Sequence, residues 1–479
     1  MNQNKIAVFT GKKPSAFTCD DIMRYMEEKE ISRLNFRYVG TDGGLKTVNF
    51  AISGKEHLVR LFNQGERIDG SRIFGRMDKT IGDIYLIPRP GTAFLNPFSE
   101  TAAIDVLCSL YLPDGNLVPF APDTILRRAH AEFKKETGLT LEAMPSLEYY
   151  VVNDSNALSR MYSQSDESPQ FAQWEDMRAL AMLYMEQAGA KVKCGHCGNC
   201  VVRQNDREMI QSEIEFLSAP VEEAADQLVI AKWVLNMLGY EYAARVSFAP
   251  MLEADQTGGG LLVSSRVLKD GLEVMRDGGK LSDYALKMIG GYLKFAPSLA
   301  AFGNTLPTSY LRLAKGTSLP LSVTWSENDR AGLLRIPSAW EPVKGSEFLA
   351  EKTARTEAAQ EHGVEYRAAD GSANVHLFIA AMTVAAKAGL TEADSLETTE
   401  KMRMENIAAE KSKDPRVPVP FPKSCQEASE RLVNQREVYE RGGVFPPALI
   451  TGIAEKLASY GDKQLSEKDV IKIMDGYLD

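Results

Sequence analysis

The chain has 479 residues, of which 44% are hydrophobic and 25% are charged, with a formal net charge of −10. This composition is ordinary for a globular protein and allows two or three domains, or one large catalytic domain with a small companion. The acidic charge argues against nucleic-acid binding, and no apolar run approaches the ~20 residues that span a bilayer. The six cysteines, and an N-terminus without the apolar core of a signal peptide, predict a reducing compartment, the cytoplasm.

Alternating apolar and polar residues predict mainly strands in roughly the first 115 residues. The segment 34–52 alternates on both sides of Asp42, Gly43 and Gly44, which is the pattern of a β-hairpin. A loop follows that contains Asp69 in the sequence RIDGS, and a stretch rich in proline and glycine leads to a strand at 105–112.

Beyond residue 119 the pattern changes to helices that alternate with strands. Asp123 is expected to cap a helix over 124–137, which Gly138 ends. The other predicted elements are a short strand at 145–152, helices at 175–189 and 220–239, and an apolar, buried helix at 373–389. The charged and then proline-rich segment 391–424 predicts an exposed excursion. A small β domain followed by a large α/β or α+β domain is the expected architecture.

The stretch 192–216 contains two different site signals side by side. One is a cysteine cluster, and the other is an acidic run that follows it: Cys194, Cys197, Cys200, then Asp206, Glu208, Glu213 and Glu215. Thiolates prefer zinc or iron–sulfur chemistry, whereas carboxylates prefer magnesium or manganese. The predicted function therefore depends on which set forms the working site.

The cysteine cluster CGHCGNC leaves three interpretations open. It is a Zn²⁺ or iron–sulfur site, a redox-active or redox-sensing centre, or a glycine-rich hairpin with reduced thiols. Structural zinc sites normally use two separated ligand pairs, so this single run needs a further ligand from elsewhere.

The carboxylates form a second, weaker pattern. Glu148 lies in the middle of a predicted strand, and Glu213 and Glu215 share a strand parity, so the latter two point to one side. Converging carboxylates repel each other unless a divalent cation joins them, although a strand glutamate is more commonly solvated.

Arginines and glycines add to the carboxylate pattern. The sequence places Arg312, Arg330, Arg335 and Arg367 in segments with special backbone residues. Guanidinium groups suit phosphate and carboxylate ligands, so the combination suggests nucleotide-dependent phosphoryl transfer. The run 258–260 is three glycines, which form a plain loop or allow close approach to a ligand, but no P-loop motif is present.

Eight segments resemble glutamine synthetase in order and spacing, from about residue 30 to about residue 455. They are RIDGSRIFG at 67–75, APDTILRRA at 121–129, the strand containing Glu148, QSEIEF at 211–216, the segment 290–313, ENDRAGLLRIP at 327–337, VEYRAADGSAN at 364–374 and RGGVF at 441–445. The resemblance implies an α+β fold with a β-grasp domain at 1–116 and a catalytic domain at 117–479.

The resemblance also implies an activity. In this family ATP phosphorylates the side-chain carboxylate of glutamate, and ammonia or an amine then displaces the phosphate. Two divalent ions, Mg²⁺ or Mn²⁺, stabilise the charge that develops during the transfer. The active sites lie between neighbouring subunits of a ring.

Carried over residue by residue, the resemblance implies a site. Its first metal would be held by Glu148, Glu213 and Asp206, the last favoured over Glu208. The implied substrate-binding residues are Gly258, Arg312 and Arg367, and the implied nucleotide contacts are Phe216, Ser264 and Arg335. Arg330 matches an arginine that meets the transferring phosphate, and Asp69 matches a residue contributed by a neighbouring subunit.

The second metal site of the family is degraded in this sequence. By the same resemblance, Ser146 stands in place of a glutamate and Leu262 or a neighbour in place of a histidine, and Glu365 is the one ligand of that site that remains. Ser318 stands where the family has a flap glutamate. An apolar leucine cannot coordinate a metal, so two hypotheses follow: an active carboxylate–amine ligase, or a catalytically weakened paralogue with a binding, regulatory or assembly role.

Overall fold

The computed structural model describes residues 3–75, 77–154, 174–204, 207–253, 258–315, 322–327, 329–337, 363–405 and 419–474. Within these ranges the helices are α1 (Lys5–Thr10), α2 (Cys19–Glu28), α3 (Lys55–Gln64), α4 (Ser71–Phe74), α5 (Pro122–Thr137), α6 (Glu175–Gln187), α7 (Val221–Glu241), α8 (Asp283–Gly303), α9 (Pro307–Lys315), α10 (Val375–Thr391), α11 (Ser395–Lys401), α12 (Cys425–Glu440), α13 (Pro447–Ala458) and α14 (Glu467–Met474).

The strands belong to two main sheets and two short two-stranded ribbons. They are β1 (Arg33–Val39), β2 (Leu45–Ala51), β3 (Glu66–Asp69), β4 (Asp83–Pro88), β5 (Phe94–Leu95), β6 (Ala103–Tyr111), β7 (Thr140–Asp154), β8 (Val192–Gln204), β9 (Arg207–Phe216), β10 (Ala219–Pro220), β11 (Arg245–Ser247), β12 (Leu261–Lys269), β13 (Leu272–Glu273), β14 (Arg276–Asp277), β15 (Lys280–Leu281), β16 (Ser322–Val323), β17 (Trp325–Glu327), β18 (Leu334–Ile336), β19 (Val364–Tyr366) and β20 (Val419–Pro420).

The N-terminal sheet has the strand order β2-β1-β6-β4-β3, with β5 paired to β6. The predicted hairpin is confirmed, because β1 and β2 pair antiparallel on either side of Asp42 to Gly44. Helix α2 was not predicted from the strand-rich pattern. It begins with a capping box, in which the Thr18 hydroxyl accepts from the backbone N–H of Asp21 and the Asp21 carboxylate accepts from the backbone N–H of Thr18.

The large sheet has the order β17-β18-β19-β12-β7-β9-β8, and β10, β11 and β13 pair at its margins. Strand β7 lies at its centre, with β12 along one edge and β9 along the other. The short strand predicted at 145–152 is therefore part of a strand that runs from Thr140 to Asp154.

Long helices cover the large sheet and supply most of the core. Helix α10 is buried along almost all of its length, as its apolar sequence predicts. It approaches α8 closely at Gly291 and Gly389. A Cβ atom on Gly291 would lie 2.2 Å from the carbonyl oxygen of Ala385, so only glycine permits this contact.

A buried charge cluster connects the N-terminal region to the helices. The Asp226 carboxylate in α7 accepts hydrogen bonds from the Arg89 guanidinium at 2.5 and 3.0 Å, and it lies 3.0 Å from Nε2 of His376 in α10. Because Arg89 directly follows β4, these three side chains join one sheet to the helical layer of the other.

Three further sequence predictions differ from the structure in detail. Asp69, predicted in a loop, is the last residue of β3. Helix α5 begins at Pro122, so Asp123 lies in its first turn rather than at the cap. In that position the Asp123 carboxylate accepts a hydrogen bond from the Ser109 hydroxyl. Proline is favoured at the first helical position because its missing N–H has no partner there anyway. The predicted excursion at 391–424 contains helix α11, and its residues 406–418 lie outside the described ranges.

Among the described residues, no single helix is long and apolar enough to cross a membrane. Helices α10 and α11 meet that criterion only when they are taken together, and a bend of 105° separates them.

Candidate active site

The centre of the candidate site is a pair of glutamates on adjacent strands. Glu148 in β7 lies directly opposite Glu213 in β9, and Glu213 lies directly opposite His196 in β8. Residues opposite each other in antiparallel strands project to the same face of a sheet. The register therefore brings these three polar side chains to one face.

Hydrogen bonds fix the Glu148 carboxylate. Its Oε2 atom accepts from the backbone N–H of Gly260 at 2.5 Å and from Nε2 of Gln211 at 3.1 Å. Burial and the neighbouring charge of Glu213 raise the pKa of Glu148, and burial likewise raises the pKa of Glu213. The fold therefore holds two carboxylates where ionisation of both is unfavourable without a compensating cation.

Arg312 in α9 supplies positive charge beside this pair. Its side chain is buried, and it donates hydrogen bonds to the carbonyl oxygens of Ala368 and Ala369. A Cβ atom on Gly260 would lie 2.9 Å from Nη1 of Arg312 and 3.3 Å from Oε2 of Glu148. The glycine position therefore lies between the guanidinium and the carboxylate.

Gly258 also has to be glycine because of Arg312. A Cβ atom there would lie 2.0 Å from the carbonyl oxygen of Pro250 and 2.4 Å from Cγ of Arg312. The carbonyl of Gly258 accepts a hydrogen bond from Gln211 at 3.3 Å. The close contacts of the glycine run in the structure are therefore with Arg312 and Gln211, and its approach to a ligand stays a prediction.

A second group of predicted residues lies further along the same sheet. Glu365 in β19 is directly opposite Ser264 in β12 on one side and Arg335 in β18 on the other. Its Oε1 atom accepts a hydrogen bond from Arg367 and lies 3.5 Å from Nη1 of Arg335. Glu365 is therefore paired with two arginines.

Ser146 and Leu262 lie between the two groups. Ser146 in β7 is directly opposite Leu262 in β12 and directly opposite Glu215 in β9. The Ser146 hydroxyl donates to Oε1 of Glu213. The side chain of Leu262 offers no donor or acceptor between Glu365 and Glu213.

His196, Glu213 and Glu215 form a second cluster, which shares Glu213 with the glutamate pair and extends from it towards β8. Nε2 of His196 lies 3.5 Å from Oε2 of Glu213 and 3.7 Å from Oε1 of Glu215. The Glu215 carboxylate raises the pKa of His196 to about 9, and His196 together with Lys193 lowers the pKa of Glu215 to about 2.

The structure does not bring Cys194 and Cys197 together. Cys194 lies opposite Glu215, whereas Cys197 lies opposite Ser212, so the regular register between them directs their side chains to opposite faces. The Cys197 thiol is buried and accepts a hydrogen bond from Arg178 at 3.2 Å. Cys194 and Cys197 therefore cannot ligate one ion in this arrangement, and the side chain of Cys200 lies outside the described part of the chain.

Other predicted residues lie apart from the glutamate pair. Phe216 and Glu208 have the opposite parity to Glu213 along β9, so both side chains are buried on the opposite side of the sheet, and neither joins Glu213. Arg330 is exposed in the turn before β18. Asp206 and Ser318 lie outside the described residues.

Asp69 belongs to the N-terminal sheet and has local partners. Its Oδ1 atom accepts from the backbone N–H and the hydroxyl of Ser71 at 3.0 and 2.5 Å, and Oδ2 lies 3.2 Å from Arg72. Its side chain is half exposed, so it is accessible to solvent.

One site residue, Gln211, was missed from the sequence, whereas Glu215 was named in the acidic run but was given no role of its own. Gln211 has the same parity as Glu213 in β9 and connects Glu148 to the glycine run. The shared strand parity of residues 211, 213 and 215 can be read from the sequence. Which strands flank β9 cannot be read from it.

Comparisons with known proteins agree with this architecture. The sequence profile of the glutamine synthetase β-grasp domain matches residues 30–113, and that of the glutamine synthetase catalytic domain matches residues 120–456. A glutamine synthetase structure from Plasmodium falciparum has a TM-score of 0.76 with 16% identity, covering 94% of this chain and 98% of that chain. A ligand-free GmaS structure has a TM-score of 0.73 with 20% identity, covering 93% and 97%.

Relatives of established name are similar over nearly the full length. A glutamine synthetase of Methylococcus capsulatus is 25% identical over 478 residues, which covers 90% of this chain and 94% of that protein. A 3-hydroxylaminophenol mutase of Cupriavidus pinatubonensis is 27% identical over 474 residues, covering 91% and 94%. The fold, the two domain profiles and these relatives lead to one conclusion: this chain belongs to the glutamine synthetase family.

Proposed function

We propose that this protein is an ATP-dependent carboxylate–amine ligase that forms glutamine or a γ-glutamyl amide through γ-glutamyl phosphate. The observation that carries the proposal is the direct opposition of Glu148 and Glu213, with the buried Arg312 beside them. Family membership gives the ligase class in general.

The glutamate pair fits a divalent cation. Carboxylate oxygens are the donors that Mg²⁺ and Mn²⁺ prefer, and a cation would offset the burial that raises the pKa of both carboxyl groups and the charge of Glu213 that raises the pKa of Glu148 further. Glu148 and Glu213 would hold the ion, with Asp206 as the proposed third ligand. When bound, such an ion neutralises charge that develops on a transferring phosphoryl group.

The reaction proceeds in two steps. In the first, a γ-carboxylate oxygen of glutamate attacks the γ-phosphorus of ATP and the bond to ADP breaks. In the second, the amine attacks the carbonyl carbon, inorganic phosphate leaves, and the amine loses a proton. Arginines supply positive charge near both carboxylate and phosphate.

Individual residues have proposed roles in these steps. Arg312 and Arg367 hold the α-carboxylate of the substrate, and Gly258 allows Arg312 its position. Arg330 meets the phosphoryl group, and Arg335, Ser264 and Phe216 are the proposed nucleotide contacts. For Phe216 that role requires a rearrangement, because its side chain is buried on the other side of the sheet.

The proposed setting follows the family. The protein self-associates into a ring in the cytoplasm, and Asp69 of one subunit completes the site of its neighbour by binding the incoming ammonium or amine. Glutamate, ammonia or an amine, and ATP are the proposed small-molecule partners, without nucleic acid or membrane.

A second candidate function is favoured by Ser146 and Leu262. These residues remove coordinating atoms between Glu365 and Glu213, so a paralogue that binds nucleotide or glutamate without turnover is the alternative. The 3-hydroxylaminophenol mutase among the relatives also shows that a similar sequence carries another reaction name, so acceptors beyond ammonia belong in the test.

Phosphate release from ATP distinguishes the two candidates. Purified protein is assayed with glutamate and ammonia, alkylamines or aromatic hydroxylamines, each with Mg²⁺ and with Mn²⁺. The ligase predicts release that requires glutamate and an acceptor together and disappears in Glu148→Gln. Nucleotide binding without release under any combination would instead support the paralogue.

A further inference from the structure

Besides the Glu148–Glu213 pair, the described residues contain one group of three side chains that brings nitrogen and oxygen donors together, and it shares Glu213 with that pair. One donor atom from each of His196, Glu213 and Glu215 lies within 4.8 Å of the other two. With metal–ligand bonds of about 2.1 Å, two ligands of a tetrahedral ion are separated by about 3.4 Å. The His196 Nε2 atom is 3.5 and 3.7 Å from its two carboxylate partners, which is close to that spacing.

We propose that His196, Glu213 and Glu215 bind a divalent metal ion of the first transition row, and that this site binds Zn²⁺ more tightly than Mg²⁺. Imidazole nitrogen suits zinc and its neighbours in the first transition row, whereas Mg²⁺ favours oxygen ligands and water. The inference does not depend on the proposed ligase activity, because it concerns binding in the absence of substrate.

The strands hold this cluster in place before an ion arrives. His196 and Glu213 are a direct cross-strand pair, and Glu215 is the next residue on the same face of β9. The register is uninterrupted from Cys194 to Cys197, and the irregularities of the β8–β9 pairing lie on either side of this stretch, between Val192 and Cys194 and between Cys197 and Val201. A preorganised arrangement costs little conformational entropy on binding.

The two oxygens of Glu213 allow it to serve both sites. Its Oε1 atom accepts from Ser146, towards Glu148, while its Oε2 atom faces His196. Glu213 is therefore positioned to lie between the proposed cation at Glu148 and the ion at His196. This places the new site on the opposite side of Glu213 from Leu262, where donors are missing.

The cluster is accessible to solvent, and a neighbouring lysine competes with the ion for one of its carboxylates. The side chains of His196 and Glu215 are 33% and 31% exposed, which leaves room for a water as a fourth ligand. Lys193 lies 3.1 Å from Oε2 of Glu215, so it competes for this carboxylate, although Oε1 faces His196. Cys194 is opposite Glu215 and is the nearby thiol that a test has to separate from the imidazole.

Titration of the tag-free, metal-stripped full chain with ZnCl₂ in excess Mg²⁺ tests the proposal. His196→Asn and Glu215→Gln are each expected to weaken Zn²⁺ binding at least tenfold. Two matched variants, His57→Asn and Glu223→Gln, change a partly exposed histidine and a partly exposed glutamate elsewhere and are expected to bind Zn²⁺ as the wild type does. Melting curves of the metal-free variants establish that each is folded.

Two further variants separate the neighbouring sites. Glu148→Gln is expected to retain Zn²⁺ binding, because it lies across Glu213 from the imidazole. Cys194→Ser is expected to bind Zn²⁺ as the wild type does. With Co²⁺ in place of Zn²⁺ as a spectroscopic probe, neither the wild type nor this variant is expected to show a thiolate charge-transfer band. Unchanged Zn²⁺ affinity in His196→Asn, or loss of the ion only in the cysteine variant, overturns the proposal.

Discussion

Glu148 and Glu213 face each other in direct register across two strands of the large sheet, and burial together with mutual repulsion raises the pKa of Glu148. Such an arrangement is unfavourable for folding in the absence of a cation and favourable when one is bound. Stability and activity are therefore expected to respond in opposite directions to a change at this pair.

Replacing Glu148 by glutamine is expected to stabilise the metal-free protein while it abolishes turnover. The amide keeps an acceptor for the Gly260 N–H and can donate to Glu213, so we expect a gain of about 1–2 kcal/mol at pH 8. Activity should fall at least about 100-fold. Urea unfolding in EDTA and phosphate release provide the two measurements.

The matched control is Glu142→Gln on the same strand. Glu142 accepts from Arg266 at 3.0 and 2.9 Å, so its loss should lower stability and leave turnover unchanged. If Glu148→Gln destabilises the metal-free protein as Glu142→Gln does, the two carboxylates are not repelling each other.

Gly258 and Gly259 provide a second matched pair. Alanine at 258 would place its Cβ 2.0 Å from the Pro250 carbonyl oxygen, whereas alanine at 259 would meet its nearest atom, in Tyr150, at 3.3 Å. Gly258→Ala should displace Arg312 and raise the KM for glutamate about 10- to 100-fold. Gly259→Ala should change KM less than about threefold, and equal effects of both would contradict the assigned role of Arg312.

Asp226→Asn is expected to destabilise the chain by about 3–4 kcal/mol, because it leaves Arg89 and His376 without their shared anion. Glu223→Gln in the same helix breaks an exposed pair with Lys191 and should cost less than about 1 kcal/mol. The difference between the two variants is measured by urea unfolding at pH 7.

Acid should reduce the contribution of Asp226 to the free energy of unfolding. Burial alone favours its neutral form, but the Arg89 charge and His376 prevail and hold the pKa of Asp226 well below its ordinary value. A carboxyl group with a lowered folded-state pKa stabilises the fold above its ordinary pKa of about 3.9, and this contribution is lost as the pH falls below that value. The gap between wild type and Asp226→Asn should therefore be constant from pH 7 to 5 and narrow towards pH 3.

Subunit mixing tests whether Asp69 acts in the site of a neighbour. Asp69→Asn and Glu148→Gln should each be inactive alone. If the two residues come from different subunits, co-assembly of equal amounts should restore activity at about a quarter of the sites. No recovery in assemblies shown by mass to contain both variants would place Asp69 outside the neighbouring site.

Local signals in the sequence were sufficient for several elements. The Asp42-Gly43-Gly44 turn predicted the first hairpin, and the apolar stretch at 373–389 predicted the buried helix α10. The helix after Pro122 began two residues earlier than expected, because the proline at its first position replaced Asp123 as the start signal.

The candidate site was predictable only where strand parity determines the face of the sheet to which a side chain points. Parity indicated that Glu213 and Glu215 share a face, and the register confirms it. Parity could not show that β7 lies between β9 and β12, which places Ser146 opposite both Glu215 and Leu262. Nor could it show that Arg312 packs against Gly258, since that contact joins segments more than 50 residues apart.

The most direct test of the proposed ligase chemistry follows an oxygen atom. Glutamate labelled with ¹⁸O in its γ-carboxyl group is incubated with the protein, ATP and the acceptor amine that supports phosphate release, and the phosphate is examined by mass spectrometry. An acyl phosphate intermediate predicts one ¹⁸O atom in each phosphate released, together with an amide of glutamate. Phosphate that forms without ¹⁸O, or without any amide, would contradict the assignment.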